Sequence, residues 1–168
     1  MNFRNKNFML TIFLSISFIL FFTSNSHADE YESIKGLESV KAVFDVRVAN
    51  PKTAAVHLDL IYKTFKDPNL TIESKKPDFV IIFMGPAVKL VSKNREGFTP
   101  EDQKNLDAIA EIISNMAKDG IKLEICVAAV HLTGGDTASI FPEIKQVGNG
   151  WISSIGYQHH GYALIPDF

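Results

Sequence analysis

The chain has 168 residues, of which 46% are hydrophobic and 21% charged, with a formal net charge of −2 and a single cysteine. One cysteine excludes an intrachain disulfide, so the fold must rest on packing. The slightly acidic balance argues against nucleic acid and anionic lipid surfaces, which call for a basic face.

The first 28 residues read as an export signal. Arg4 and Lys6 give a basic start, and an apolar run follows from Phe8 to Phe22, broken only by Thr11, Ser15 and Ser17. That run falls short of the roughly 18 residues a spanning helix needs. Ser26-His27-Ala28 fits the small-x-small pattern of signal peptidase and predicts cleavage before Asp29. An uncleaved anchor is the alternative. Cleavage would remove two basic and no acidic residues, leaving 15 basic against 19 acidic and a net charge of −4. The expected product is a periplasmic or secreted protein with one domain over residues 29–168, free of the membrane once the signal is removed.

Beyond an irregular lead-in over residues 29–40, strand and helix alternate. Lys41 to Val48 has strand character, carried by Val43, Phe44, Val46 and Val48. Asn50-Pro51 then fits a helix start, with Asn50 as N-cap and Pro51 as first helical residue. Ala54, Leu58, Ile61, Tyr62 and Phe65 recur at helical spacing, and Asp67-Pro68-Asn69 stops the helix. Asp78 to Met84 is a continuous apolar run, the pattern of a parallel strand covered on both faces. Gly85-Pro86 ends it, a short helix is expected over Ala87 to Val91, and Ser92 to Phe98 reads as a polar surface loop.

Thr99-Pro100-Glu101-Asp102 predicts a strong helix start, since threonine caps, proline fits the first turn and the acids favour the positive end of the helix dipole. Leu106, Ile109, Ala110, Ile113, Met116 and Ala117 form its apolar stripe, and Gly120 suits the residue after the cap. Ile121 to Val127 is the next strand. A short helix over Ala128 to Thr133, a strand over Ile144 to Val147, a helix over Gly150 to His160 and a last strand over Tyr162 to Ile165, ended by Pro166, complete the chain. About five strands joined by helical crossovers predict a three-layer α/β fold with a mostly parallel sheet.

Parallel sheets place ligands at the carboxyl ends of their strands. Cys126 falls at such an end, just before a helix, where backbone amides and the helix dipole favour a thiolate. The loops Ala49-Asn50-Pro51 and Met84-Gly85-Pro86 occupy equivalent ends of two other strands, so Asn50, Gly85 and Pro86 are candidate ligand-binding positions. The residues alone leave two readings of Cys126 open, a reactive thiol and a buried space-filler.

The stretch LEICVAAVHLTGGDTASIFPEIKQVGNGWISSIGYQHHGYALIP resembles the end of DsrE/DsrF-like proteins. The matching elements are a strand ending in Cys126, a short helix, Pro142 before a strand, and Gln158 in a helix that leads into Gly161-Tyr162-Ala163. Upstream, DFVIIFMGPAVKLV resembles the family's second strand and glycine-containing loop, so the resemblance runs from Val43 to Pro166. It implies the family's α/β fold, homo- or hetero-oligomers, and a sulfur relay in which Cys126 holds a persulfide and exchanges it with a sulfur-donor or acceptor protein. The characterised relays are cytoplasmic, whereas this chain reads as exported.

His131, five residues after Cys126, is a candidate for approaching the sulfur and favouring the thiolate, against a bland reading as an exposed helix-end histidine. His159-His160 lacks the spaced partners of a metal site, because adjacent helical residues do not face each other. Trp151 reads as core or subunit contact. Asp45 and Arg47 share a strand face and read as an edge-strand ion pair. No glycine-rich phosphate loop, G-x-S-x-G elbow or CxxC is present, so nucleotide, hydrolase and self-contained disulfide chemistry lack their motifs, and no cofactor or metal is expected. Two functions remain: a sulfur carrier using Cys126, and a non-catalytic oligomeric ligand-binding or interaction module in which Cys126 is structural.

Overall fold

The computed structural model describes residues 31–168, so the expected signal over residues 1–28 lies outside the described residues. The chain forms β1 (Lys41–Val46), α1 (Pro51–Phe65), β2 (Asp78–Phe83), a 3-10 segment (Gly85–Val91), α2 (Pro100–Lys118), β3 (Lys122–Cys126), α3 (Val127–Leu132), β4 (Lys145–Val147), α4 (Gly150–His159) and β5 (Ala163–Asp167). The strands form one sheet in the order β4-β3-β2-β1-β5, and every pairing is parallel.

Local chemistry sets the helix ends. Asn50 caps α1, its side-chain oxygen accepting from the Thr53 amide at 3.0 Å, with Pro51 at the first helical position. Thr99 and Asp102 form a reciprocal capping box on α2, with bonds of 3.2 Å and 3.1 Å, an arrangement that satisfies two otherwise orphaned amides. Gly120 leaves α2 at φ +94°, a left-handed conformation that glycine adopts without a Cβ clash.

Strand alternation divides the sheet into two unlike faces. One face carries Ala42, Phe44, Val46, Phe79, Ile81, Phe83, Leu123 and Ile125, all buried. Helices α1 and α2 cover it with Leu58, Ile61 and Phe65 from the first and Leu106, Ile109, Ile113 and Met116 from the second. Phe79 sits at the centre, 5.0 Å from the Phe44 ring and 5.6 Å from the Phe65 ring. The other face presents Asp45, Asp78, Lys122, Glu124 and Cys126 among its valines and isoleucines, and α4 crosses it.

Several expectations are corrected. Pro166 lies inside β5 instead of ending it, because among the described residues β5 is an edge strand paired with β1 alone, so a missing amide there breaks no second ladder. Strand β1 is interior, between β2 and β5, so the Asp45–Arg47 pair is not an edge-strand pair. The apolar side of α4 faces outward: Trp151, Ile152 and Ile155 are 60%, 70% and 55% exposed, and Gly150 and Ser154 are the buried residues. Trp151 is therefore not core.

Candidate functional site

Sheet register builds the site. Val46 pairs with Phe83, and Phe83 with Ile125, so the next residues, Arg47, Met84 and Cys126, form a row across the carboxyl ends of β1, β2 and β3. Neighbouring strands are about 4.8 Å apart. All three residues belong to the face that α4 crosses. Cys126 ends β3 and serves as the N-cap residue of α3, and it is only 4% exposed.

Two neighbours enclose the cysteine. A Cβ added to Gly150, the first residue of α4, would lie 3.1 Å from Cys126 Cβ and 3.1 Å from both Cγ and Sδ of Met84. A side chain there would press on both residues, so the glycine lets α4 begin close to the row. Met84 in turn lies between Cys126 and Arg47, with Arg47 Nη2 3.8 Å from its sulfur.

Asp45 holds the guanidinium in a fork. Arg47 Nε donates to Asp45 Oδ1 at 2.9 Å and Nη2 to Oδ2 at 2.8 Å, a bidentate charge-assisted pair. The carboxylate raises the Arg47 pKa through that bond; burial opposes it, and the negative charges of Asp45 and of a Cys126 thiolate add to it. The end of β5 braces the same residue: Asp167 O accepts the Arg47 amide at 2.7 Å, and the Phe168 ring centre lies 6.0 Å from the guanidinium carbon. On the opposite face His57 Nδ1 meets Asp167 Oδ1 at 2.5 Å, and Asp167 Oδ2 is buried without a hydrogen-bond partner among the described residues.

The residues singled out from the sequence fare differently. Gly85, at φ +53°, opens the 3-10 segment one residue beyond Met84, beside the site, while Pro86 is exposed. Asn50 lies beyond β1, two strands from Cys126, and spends its side chain on capping α1. His131 is exposed in the last turn of α3, and its ring makes no hydrogen bond among the described residues. His159 and His160 are exposed at the end of α4. Among the described residues, no group of three or more His, Cys, Asp or Glu side chains is gathered to hold a metal. The loop from Ser92 to Phe98 helps to wall a cavity of about 220 Å³ with Val88, Val130 and Ile140, which Cys126 does not line.

Glu124 was not marked by its sequence and proves central. It is 3% exposed on the α4 face, two residues before Cys126, and accepts from Ser153 Oγ and, at 3.1 Å, from the Tyr157 hydroxyl. Burial first, then the Glu124 charge and hydrogen bond, push the Tyr157 pKa up to about 12. Towards the amino end of the face, Lys122 Nζ bonds both Asp78 oxygens at 2.8 Å, and Tyr162 donates to Asp78 at 2.6 Å. The available signal was a glutamate between Leu123 and Ile125, in a strand whose other charge, Lys122, stands at its start.

Comparison with known proteins fits this architecture. The structure is similar to that of MTH1491 from Methanobacterium thermoautotrophicum, a protein of unknown function, with a TM-score of 0.59 and 12% identity over 76% of this chain and 99% of that one. It is also similar to the ychN protein of E. coli, with a TM-score of 0.52 and 16% identity over 77% and 99% of the two chains. An uncharacterized protein of Aquifex aeolicus is 26% identical over 127 residues, a match spanning 76% of this chain and only 56% of that relative's length. Residues 41–166, from the first strand to the penultimate residue of the last, match the DsrE/DsrF-like family, and the chain belongs to that family.

Proposed function

We propose that this protein carries sulfur on Cys126 as a persulfide. The observation that carries the reading is the place of Cys126 in a DsrE/DsrF-like chain: the carboxyl end of a central strand, in one row with the Arg47 guanidinium. The Cys126 thiolate attacks a sulfane sulfur of the donor. An Sγ–S bond forms, the donor's S–S bond breaks, and the leaving group takes the electron pair. A partner thiolate later attacks the outer sulfur and releases Cys126. One cysteine suffices, because the resolving thiol belongs to the partner. Cys126 is enclosed by Met84 and Gly150, so access requires a local movement, which the three soft torsions of a methionine can supply.

The same reading places the mature chain, released before Asp29, in the periplasm or outside the cell. It gives the outward residues Trp151, Ile152 and Ile155 of α4 to a contact with a second copy, since an exposed apolar patch of this kind marks an interaction surface. The burial of Cys126 favours a second reading, in which the thiol only fills space and the protein is a binding module.

Mass spectrometry of the folded protein after polysulfide treatment separates the two. The sulfur-carrier reading predicts a reductant-sensitive gain of whole sulfur atoms on Cys126 that Cys126→Ser abolishes. No gain, or an equal gain on the serine variant, rejects it.

A further inference from the structure

A guanidinium two strands from a thiol, with Met84 between them, does more than fill space when its free edge faces outward. Asp45 is 8% exposed and occupies Nε and one N–H of Nη2, whereas the Arg47 side chain remains 30% exposed. Nη1 donates to no partner among the described residues. The pair is therefore a dipole with its negative end buried in the sheet and its positive edge towards solvent. Met84 links that edge to the cysteine: its sulfur lies 3.8 Å from Nη2 and touches the space above Gly150 that Cys126 Cβ also borders. The nearest opposing carboxylate on β3, Glu124, is engaged by Ser153, Tyr157 and, at 3.6 Å, Lys145.

We propose that Arg47 is the specificity-determining residue of the site and selects anionic sulfane-sulfur donors, such as thiosulfate or polysulfide, over neutral ones. The inference rests on the reading of Cys126 as sulfur acceptor. With thiosulfate the step balances without a further reactant: the Cys126 thiolate and the thiosulfate dianion give a Cys126 persulfide anion and sulfite, which leaves with the electron pair of the broken S–S bond. Arg47 offers its two free N–H groups to the oxoanion as the two negative reactants approach, and Asp45 is the positioning residue that aims the fork.

Paired alkylation tests the assignment without any sulfur transfer. Iodoacetate and iodoacetamide differ in charge and attack the same thiolate, so the ratio of their rates at Cys126 cancels the ionised fraction of the thiol. The ratio in the folded wild type should exceed that of free cysteine, and should fall towards it as salt rises. Arg47→Gln should lower the ratio by about 3- to 10-fold, the size of one charge contact in a half-solvated setting. Arg47→Lys, which keeps the charge without the fork, should fall between them and serves as the test if the glutamine variant does not fold. An unchanged ratio in these variants, or a wild-type ratio equal to that of free cysteine at every salt concentration, overturns the role of Arg47 while leaving the Cys126 reading intact. Failure of both reagents to modify the folded protein defeats the Cys126 reading and this one with it.

Discussion

The two faces of one sheet follow different rules. The face under α1 and α2 is apolar across the three inner strands and is held by aromatic and aliphatic packing. The face under α4 carries Asp45, Asp78, Lys122, Glu124, Arg47 and Cys126, and its covering helix turns glycine and serine inward and tryptophan and isoleucine outward. Packing sets the first face. Hydrogen-bonded charge sets the second.

Substitutions can break the contrast. Leu58→Ala on the apolar face empties a site that is 1% exposed, and it should lower unfolding free energy by about 2–5 kcal/mol in denaturant titration. Glu124→Gln on the other face keeps the shape and removes a charge-assisted acceptor, so a smaller loss of about 1–3 kcal/mol is expected in the same experiment. A larger loss for Glu124→Gln than for Leu58→Ala would reverse the assignment of roles.

Titration sharpens it. The Tyr157 pKa is raised from 10.0 to about 12, so its contribution to stability is full below about pH 10 and fades as pH climbs towards 12. Ultraviolet titration should find Tyr157 and Tyr162 both ionising late, and Glu124→Gln should bring Tyr157 part of the way back. At the acid end burial opposes ionisation of Asp78, yet the bonds from Lys122 and Tyr162 prevail and hold its pKa below the usual value. That contribution is present above the unfolded carboxylate value near pH 4 and is lost as pH falls through the folded one. Lys122→Met should flatten the acid limb of the stability profile; an unchanged slope would mean that this exposed network contributes nothing measurable.

The apolar face was legible in the sequence because helical and strand periodicities report burial directly: Leu58, Phe65, Leu106, Ile109 and Ile113 all lie where their spacing puts them. The caps at Asn50 and Thr99 were legible for the same local reason. Cys126 at the end of β3 followed from its strand and the helix that comes next. Neither the row that Cys126 shares with Arg47 and Met84 nor the approach of Gly150 was legible, because both depend on register across three strands and on the angle of α4. At α4 the apolar residues share a side, but which side meets the sheet was decided by the small residues Gly150 and Ser154, which are the buried ones. Pro166 misled because an edge strand tolerates a proline that an interior one would not.

Access to one sulfur atom decides the account, and labelling of native protein with a neutral thiol reagent across a denaturant series measures it. The account predicts a rate at Cys126 that is insensitive to low denaturant, because a local movement of Met84 or of the start of α4 opens the site. A rate that rises from the first addition in step with global unfolding would show that the thiol is reached only when the fold is lost, and would contradict it.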